Sequence, residues 1–227
     1  MLYLVFVLLM LSVIIGPQLW VTHVLKKYHR PLEGAPGTGS ELARHLIERF
    51  DLTGVTVEEA GEGENFYDPA DNRVCLSPDI YQGKSLTAIA VAAHEVGHAI
   101  QFNRKEKVSL LRERYMANAI ALRKLGVGFL MAMPLVAMVV RVPHASLLVV
   151  LVGIVTMLVS ALMYVAILPE EFDASFNKAL PILKDGEYVP EVYLPAVKQI
   201  LRACALTYVA GALIDVLRLW RWLRYLR

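Results

Sequence analysis

The chain has 227 residues, enough for one substantial catalytic unit. Apolar residues make up 56% of it and charged residues 19%, which excludes an ordinary soluble domain, where about 25% of residues are charged. A formal net charge of +2 argues against a nucleic-acid surface and against a strongly acidic substrate.

The apolar excess falls into four stretches, 2–21, 125–142, 145–168 and, less cleanly, 203–223. A helix needs roughly 20 such residues to cross a bilayer. The first stretch predicts an anchor over 1–24. No Lys or Arg precedes it, no small-x-small cleavage site follows it, and Lys26, Lys27 and Arg30 come next. That pattern reads as a retained anchor whose C-terminal flank is cytoplasmic. Pro31, Gly34, Pro36, Gly37 and Gly39 then mark a linker into a water-exposed region.

Leu42, Leu46 and Phe50 recur every four residues, so 41–50 is predicted as a helix with one apolar face, capped by Thr38 or Ser40. Short strands are predicted at 55–58, at Phe66-Tyr67 and at 73–77, the last two flanking the turn 68–72. A helix over 86–102 follows, capped by Ser85 and rich in small side chains. Residues 110–124 are predicted helical. Spans two and three form an antiparallel hairpin over 125–168, with Pro134 inside the first of them and a turn at 141–144. The polar part 169–202 then returns to the same side of the membrane as 25–124, with a new helix starting after Pro169. Residues 203–227 are a fourth span or an interfacial helix. There Asp215 is expected to pair with Arg218, and Arg221, Arg224 and Arg227 oppose the cytoplasmic orientation if the segment fully spans. Cys75 and Cys204 lie far apart and lack zinc-ribbon spacing. They read as reduced thiols used as small apolar side chains.

The chemistry sits in Ala93-His94-Glu95-Val96-Gly97-His98-Ala99. Residues four apart share a helix face, so His94 and His98 can aim two imidazoles at one metal ion. Glu95 lies about 100° round the helix, beside the metal, where it can take a proton from the attacking water. This is the H-E-x-x-H pattern of zinc hydrolases. A third ligand is still required. The class with a further histidine six residues on is excluded, because that position is Arg104 and the glycine position is Gln101. The candidates are His45, Glu170, Glu171, Asp173 and Glu187. His144 falls at the far membrane face. Asp173 could instead orient a ligand imidazole. Tyr67, Tyr164 and Asn177 are conceivable donors to an oxyanion, and the strands near Phe66 and Val74 could present an edge to an extended peptide.

These residues resemble the YugP-like family of bacterial membrane-bound neutral zinc metallopeptidases. They are more distantly similar to membrane proteases of the HtpX-like and CAAX-prenyl type. The resemblance runs over nearly the whole chain. It is carried by Asn65-Phe66-Tyr67-Asp68-Pro69, by Val74-Cys75-Leu76-Ser77, by residues 88–101 around the motif, and by Glu171-x-x-Ala174-Ser175 after the hairpin. It implies Glu171 as the third zinc ligand, and Ser175 where the broader class carries Asp.

The expectation is therefore a mainly α integral membrane protein with a zincin-like helix and a small β-sheet in the catalytic part. Its parts are an anchor (1–24), a catalytic region (25–124), a membrane hairpin (125–168), a polar segment supplying the third ligand (169–202) and a final helix (203–227). Its cofactor is Zn2+ and its substrate a protein or peptide. It sits in the bacterial inner membrane with the catalytic side in the cytoplasm, with a membrane partner or a second copy left open. The rival readings are a scaffold or chaperone partner with structural zinc, and a zinc amidase acting outside proteins.

Overall fold

A computed structural model describes residues 2–34, 37–140 and 143–218. Residues 141 and 142 of the expected turn, the side chains of Asp215 and Arg218, and Arg221, Arg224 and Arg227 lie outside the described residues. The chain divides into two compact units. One takes its described residues from 1–19, 111–168 and 207–227, the other from 20–110 and 169–206.

In the second unit, α1 (Leu2–Lys27) ends on Lys26 and Lys27, and α2 (Gly39–Arg49) begins after Thr38. Thr38 forms a reciprocal cap. Its Oγ1 accepts from the Glu41 amide at 3.2 Å, and its own amide donates to Glu41 Oε2 at 2.7 Å. Two of the helix's orphan polar groups are satisfied in this way. The Thr38 amide holds the Glu41 carboxyl below its ordinary pKa.

Three strands follow, β1 (Thr56–Glu59), β2 (Phe66–Asp68) and β3 (Arg73–Leu76). β3 is central. It pairs parallel with β1, Val57 opposite Val74, and antiparallel with β2, Tyr67 opposite Val74. Burial pushes the Cys75 thiol above its ordinary pKa, so it stays protonated and inert. A short helix, α3 (Pro78–Tyr81), connects the sheet to α4 (Leu86–Asn103). The Ser85 hydroxyl caps α4 by accepting from the Ala88 amide at 3.1 Å. Every residue from Leu86 to Gln101 is buried, so α4 is a core helix covered on all sides rather than an amphipathic surface helix. Its alanines are what permit that covering. α2, α3 and the sheet all pack against it, and the Thr87 hydroxyl donates to the Leu25 carbonyl at the end of α1 at 2.9 Å.

The first unit is built from long helices. α5 (Leu110–Val140) contains Pro134, and α6 (Pro143–Phe172) contains Pro169. Both are long and apolar enough to cross a membrane. Their large apolar side chains face outward: Leu135, Met138, Leu147 and Leu162 are all more than 60% exposed. Such a surface belongs against lipid, not water. The two helices touch through small residues. A Cβ added at Gly126 would lie 2.9 Å from the Gly153 carbonyl oxygen, the close approach that holds helices together where lipid removes the hydrophobic incentive. Leu130, Met133, Val150 and Met157 fill the adjoining contact.

The structure corrects one expectation. Pro169 does not mark the start of a new helix. α6 runs through it to Phe172, passes into a π-helical segment (Asp173–Ala179) and continues as α7 (Leu180–Asp185). Proline removes one backbone donor and crowds one carbonyl. That local cost is outweighed by packing, since the π-helical segment that continues the helix lies against α4 with Ala174 buried. The acidic pair therefore does not owe its position to a helix N-terminus. α8 (Leu194–Arg218) completes the described chain.

Candidate metal centre

Helical spacing on α4 brings the rings of His94 and His98 to a centroid distance of 4.7 Å at an angle of 80°. Both rings are buried. Glu171, from the end of α6, brings Oε2 to 3.4 Å from His94 Nε2 and 3.3 Å from His98 Nε2. One ligand atom from each of the three residues lies within 4.8 Å of the others. Glu95 is also buried, at 5% exposure.

Gly97 makes this meeting possible. A Cβ at that position would stand 2.8 Å from the Ala174 carbonyl oxygen. Only glycine lets the π-helical segment approach α4 so closely, and that segment adjoins Glu171. π-helical turns inside α-helices are frequent at functional sites. Here the wider turn carries Asp173 and Ser175 toward α4.

The far nitrogens of the two rings meet different partners. Ser175 Oγ lies 3.1 Å from His94 Nδ1 and 3.0 Å from the Leu201 carbonyl on α8. A carbonyl only accepts, so the Ser175 proton goes to Leu201 and the hydroxyl oxygen accepts from His94 Nδ1–H. His94 Nε2 is thereby left with its lone pair toward Glu171. His98 Nδ1 lies 2.9 Å from Gln101 Oε1. Gln101 Nε2 donates to the Glu170 carbonyl at 3.0 Å and to Asp173 Oδ2 at 2.8 Å. Burial alone would raise the Asp173 pKa. Hydrogen bonds from Gln101 and Asn177, with the nearby Lys178 ammonium, outweigh it and hold the carboxyl below its usual range. Lys178 in turn reaches Glu106 Oε2 at 2.9 Å.

The other sequence candidates stand elsewhere. Glu170 is fully buried, but its Oε1 approaches His98 from the Nδ1 side, at 3.7 Å. His45 Nε2 pairs with the Tyr188 hydroxyl at 2.7 Å. Glu187 sits exposed in a turn with φ of +53°, and His144 is exposed. Of the oxyanion candidates, Tyr67 donates to Asn72 at 2.9 Å and Asn177 donates to Asp173 at 2.7 Å. Tyr164 stacks on Tyr208 in the other unit. Gln101 is the residue that sequence reasoning passed over. Its signal was its place three residues after His98, on the same helix face.

The donor set can be tested against zinc on chemistry alone. Two imidazole nitrogens and a carboxylate oxygen, all buried, turn toward one point. Acceptors facing each other at this range repel unless positive charge lies between them. Imidazole and carboxylate are both ordinary zinc ligands, so the three residues fit the ion.

Comparison with known proteins agrees with this geometry. A family model described as "Putative neutral zinc metallopeptidase" matches residues 3–227. A Bacillus subtilis protein described as "Putative membrane protease YugP" is 30% identical over 218 residues, which cover 91% of this chain and 90% of that protein. No solved structure matches the chain.

Proposed function

This chain belongs to the neutral zinc metallopeptidase family, and on that premise we propose that His94, His98 and Glu171 hold a catalytic zinc while Glu95 moves the proton in hydrolysis of a peptide bond. The observation that carries this assignment is the convergence of one ligand atom from each of His94, His98 and Glu171 within 4.8 Å of one another. When bound, zinc supplies Lewis acidity, acidifying a water and polarising the substrate carbonyl. The rest falls to the chain. His94 and His98 present neutral nitrogens, and Glu171 supplies one negative charge to offset the ion. Glu95, one residue beyond His94 and buried, accepts the proton of the attacking water on its carboxylate and gives it to the leaving amine.

With His94, His98 and Glu171 as its only protein ligands, zinc would keep a place for water, as a catalytic site does and a closed structural site does not. Among the described residues the cluster has three members. A scaffold with structural zinc also has no use for a carboxylate beside the ligands, and Glu95 is buried there. Membership of a peptidase family favours a protein or peptide substrate over an amide outside proteins.

Replacing Glu95→Gln keeps the shape of the side chain and removes its base. Peptide hydrolysis by the purified protein is expected to fall by about 10²–10⁴-fold, with zinc content unchanged. Undiminished hydrolysis in that variant would sink the assignment.

The setting is a bacterial membrane, with the catalytic residues on the cytoplasmic side. Lys26 and Lys27 in the last turn of α1 support that side, because positive charge flanking the first apolar segment is retained in the cytoplasm. A cysteine placed in the exposed loop after α2 is expected to resist a membrane-impermeant thiol reagent in intact cells. Labelling without permeabilisation would reverse the orientation.

A further inference from the structure

The two histidines are oriented by different devices, and the one behind His98 contains a residue with no assigned role. An amide side chain can sit in either of two flipped states, so an amide hydrogen-bonded to a histidine does not by itself fix the tautomer. Gln101 has no such freedom. On one side it meets the Glu170 carbonyl at 3.0 Å and Asp173 Oδ2 at 2.8 Å. A carbonyl has no proton to give, and neither has an ionised carboxylate. Both positions therefore demand the NH2 group, whose two protons they consume. The amide oxygen is left to face His98 Nδ1 at 2.9 Å. Oxygen accepts there, so the imidazole must carry its proton on Nδ1, and Nε2 keeps its lone pair on the side of Glu171.

Resting on the zinc reading above, we propose that Gln101 is the positioning residue of His98, and that Asp173 acts on the metal ligand through Gln101 by locking its amide. The lock reaches the protein surface. Lys178 contacts Asp173 Oδ2 at 3.4 Å and Glu106 at 2.9 Å, and Asn177 donates to Asp173 Oδ1 at 2.7 Å. Asp173 is thus held from three directions, and Gln101 is fully buried. Each member of the series fixes the next, from the Glu106–Lys178 pair through Asp173 and Gln101 to the ring. Partners of this kind on the far nitrogen of a ligand histidine change metal affinity by about 10–100-fold.

The test is zinc affinity of the full chain in detergent, measured by chelator competition on wild type, Gln101→Met, Asp173→Ala and the double variant. Methionine fills a similar volume with only a weakly accepting sulfur and no donor. Gln101→Met is expected to weaken zinc by about 10–100-fold. Asp173→Ala is expected to weaken it less, and the double variant should match Gln101→Met alone, since a residue acting only through another adds nothing once that other is gone. Losses that add in the double variant, or unaltered affinity in Gln101→Met, overturn the inference. A chain that takes up no zinc at all sinks the reading of the site, and this inference with it.

A second measurement needs no variant. Nitrogen NMR of the zinc-loaded chain with labelled histidine should show the His98 ring protonated at Nδ1. His98 protonated at Nε2 overturns the inference by itself.

Discussion

α4 offers its two imidazoles from a single helical turn, whereas Glu171 arrives from a segment 73 residues beyond His98. The first region is apolar, continuous and buried all round. The second is acidic and changes from α-helical to π-helical winding immediately after its ligand. The contrast teaches where the specificity of the centre resides. Spacing along one helix fixes two ligands whatever the rest of the chain does. The third depends on tertiary approach, and that approach narrows at Gly97 and Ala174.

The comparison breaks most sharply at Gly97. In Gly97→Ala the new methyl meets a backbone oxygen at 2.8 Å, which cannot rotate out of the way. Overpacking of this kind costs about 1–3 kcal/mol. Both thermal stability without metal and zinc affinity are expected to fall, because the clash separates the elements that carry the ligands. A variant with wild-type zinc affinity would show that the two regions are not held at this point. A smaller effect is expected at Ser175. Ser175→Ala leaves Gly97 and Glu171 in place and strips His94 of its acceptor. Chelator competition should show zinc weakened by about 10-fold, with little change in metal-free melting. A large drop in melting temperature would instead make Ser175 a packing residue of the second region.

How much of this was legible differs along the same line. The helix expected over 86–102 and its Ser85 cap follow from its run of helix-forming alanines and from capping chemistry. The three short strands were legible too, and so was a cap for α2, with the choice between Thr38 and Ser40 left to the structure. The H-E-x-x-H turn needs only local geometry to be read. Choosing between Glu170 and Glu171 was different. Adjacent helical residues point about 100° apart, and which of them faces the histidines depends on the rotation of α6 against α4. No local signal carries that rotation, and the resemblance to known sequences stood in for it. Pro169 misled for a related reason. Propensity counts the bond a proline removes, but it cannot see the packing on α4 that keeps the helix going. The parallel pairing of β1 with β3 was equally hidden, since two strands joined through a third show no turn signature of their own. Gln101 was readable as a neighbour of His98, but the orientation of its amide rests on Asp173 and Glu170, far along the chain.

The hydroxyl of Ser175 has a single hydrogen, and it is committed to Leu201 on the last helix. Were that carbonyl to swing away, the hydrogen would be released to point at the ring, and the ring would have to shed its own to receive it. Displacing that peptide group of α8 would thus remove the constraint that keeps the proton of His94 on Nδ1. α8 therefore bears on the protonation pattern of His94 through Ser175, by holding the one hydrogen that would otherwise compete for the ring.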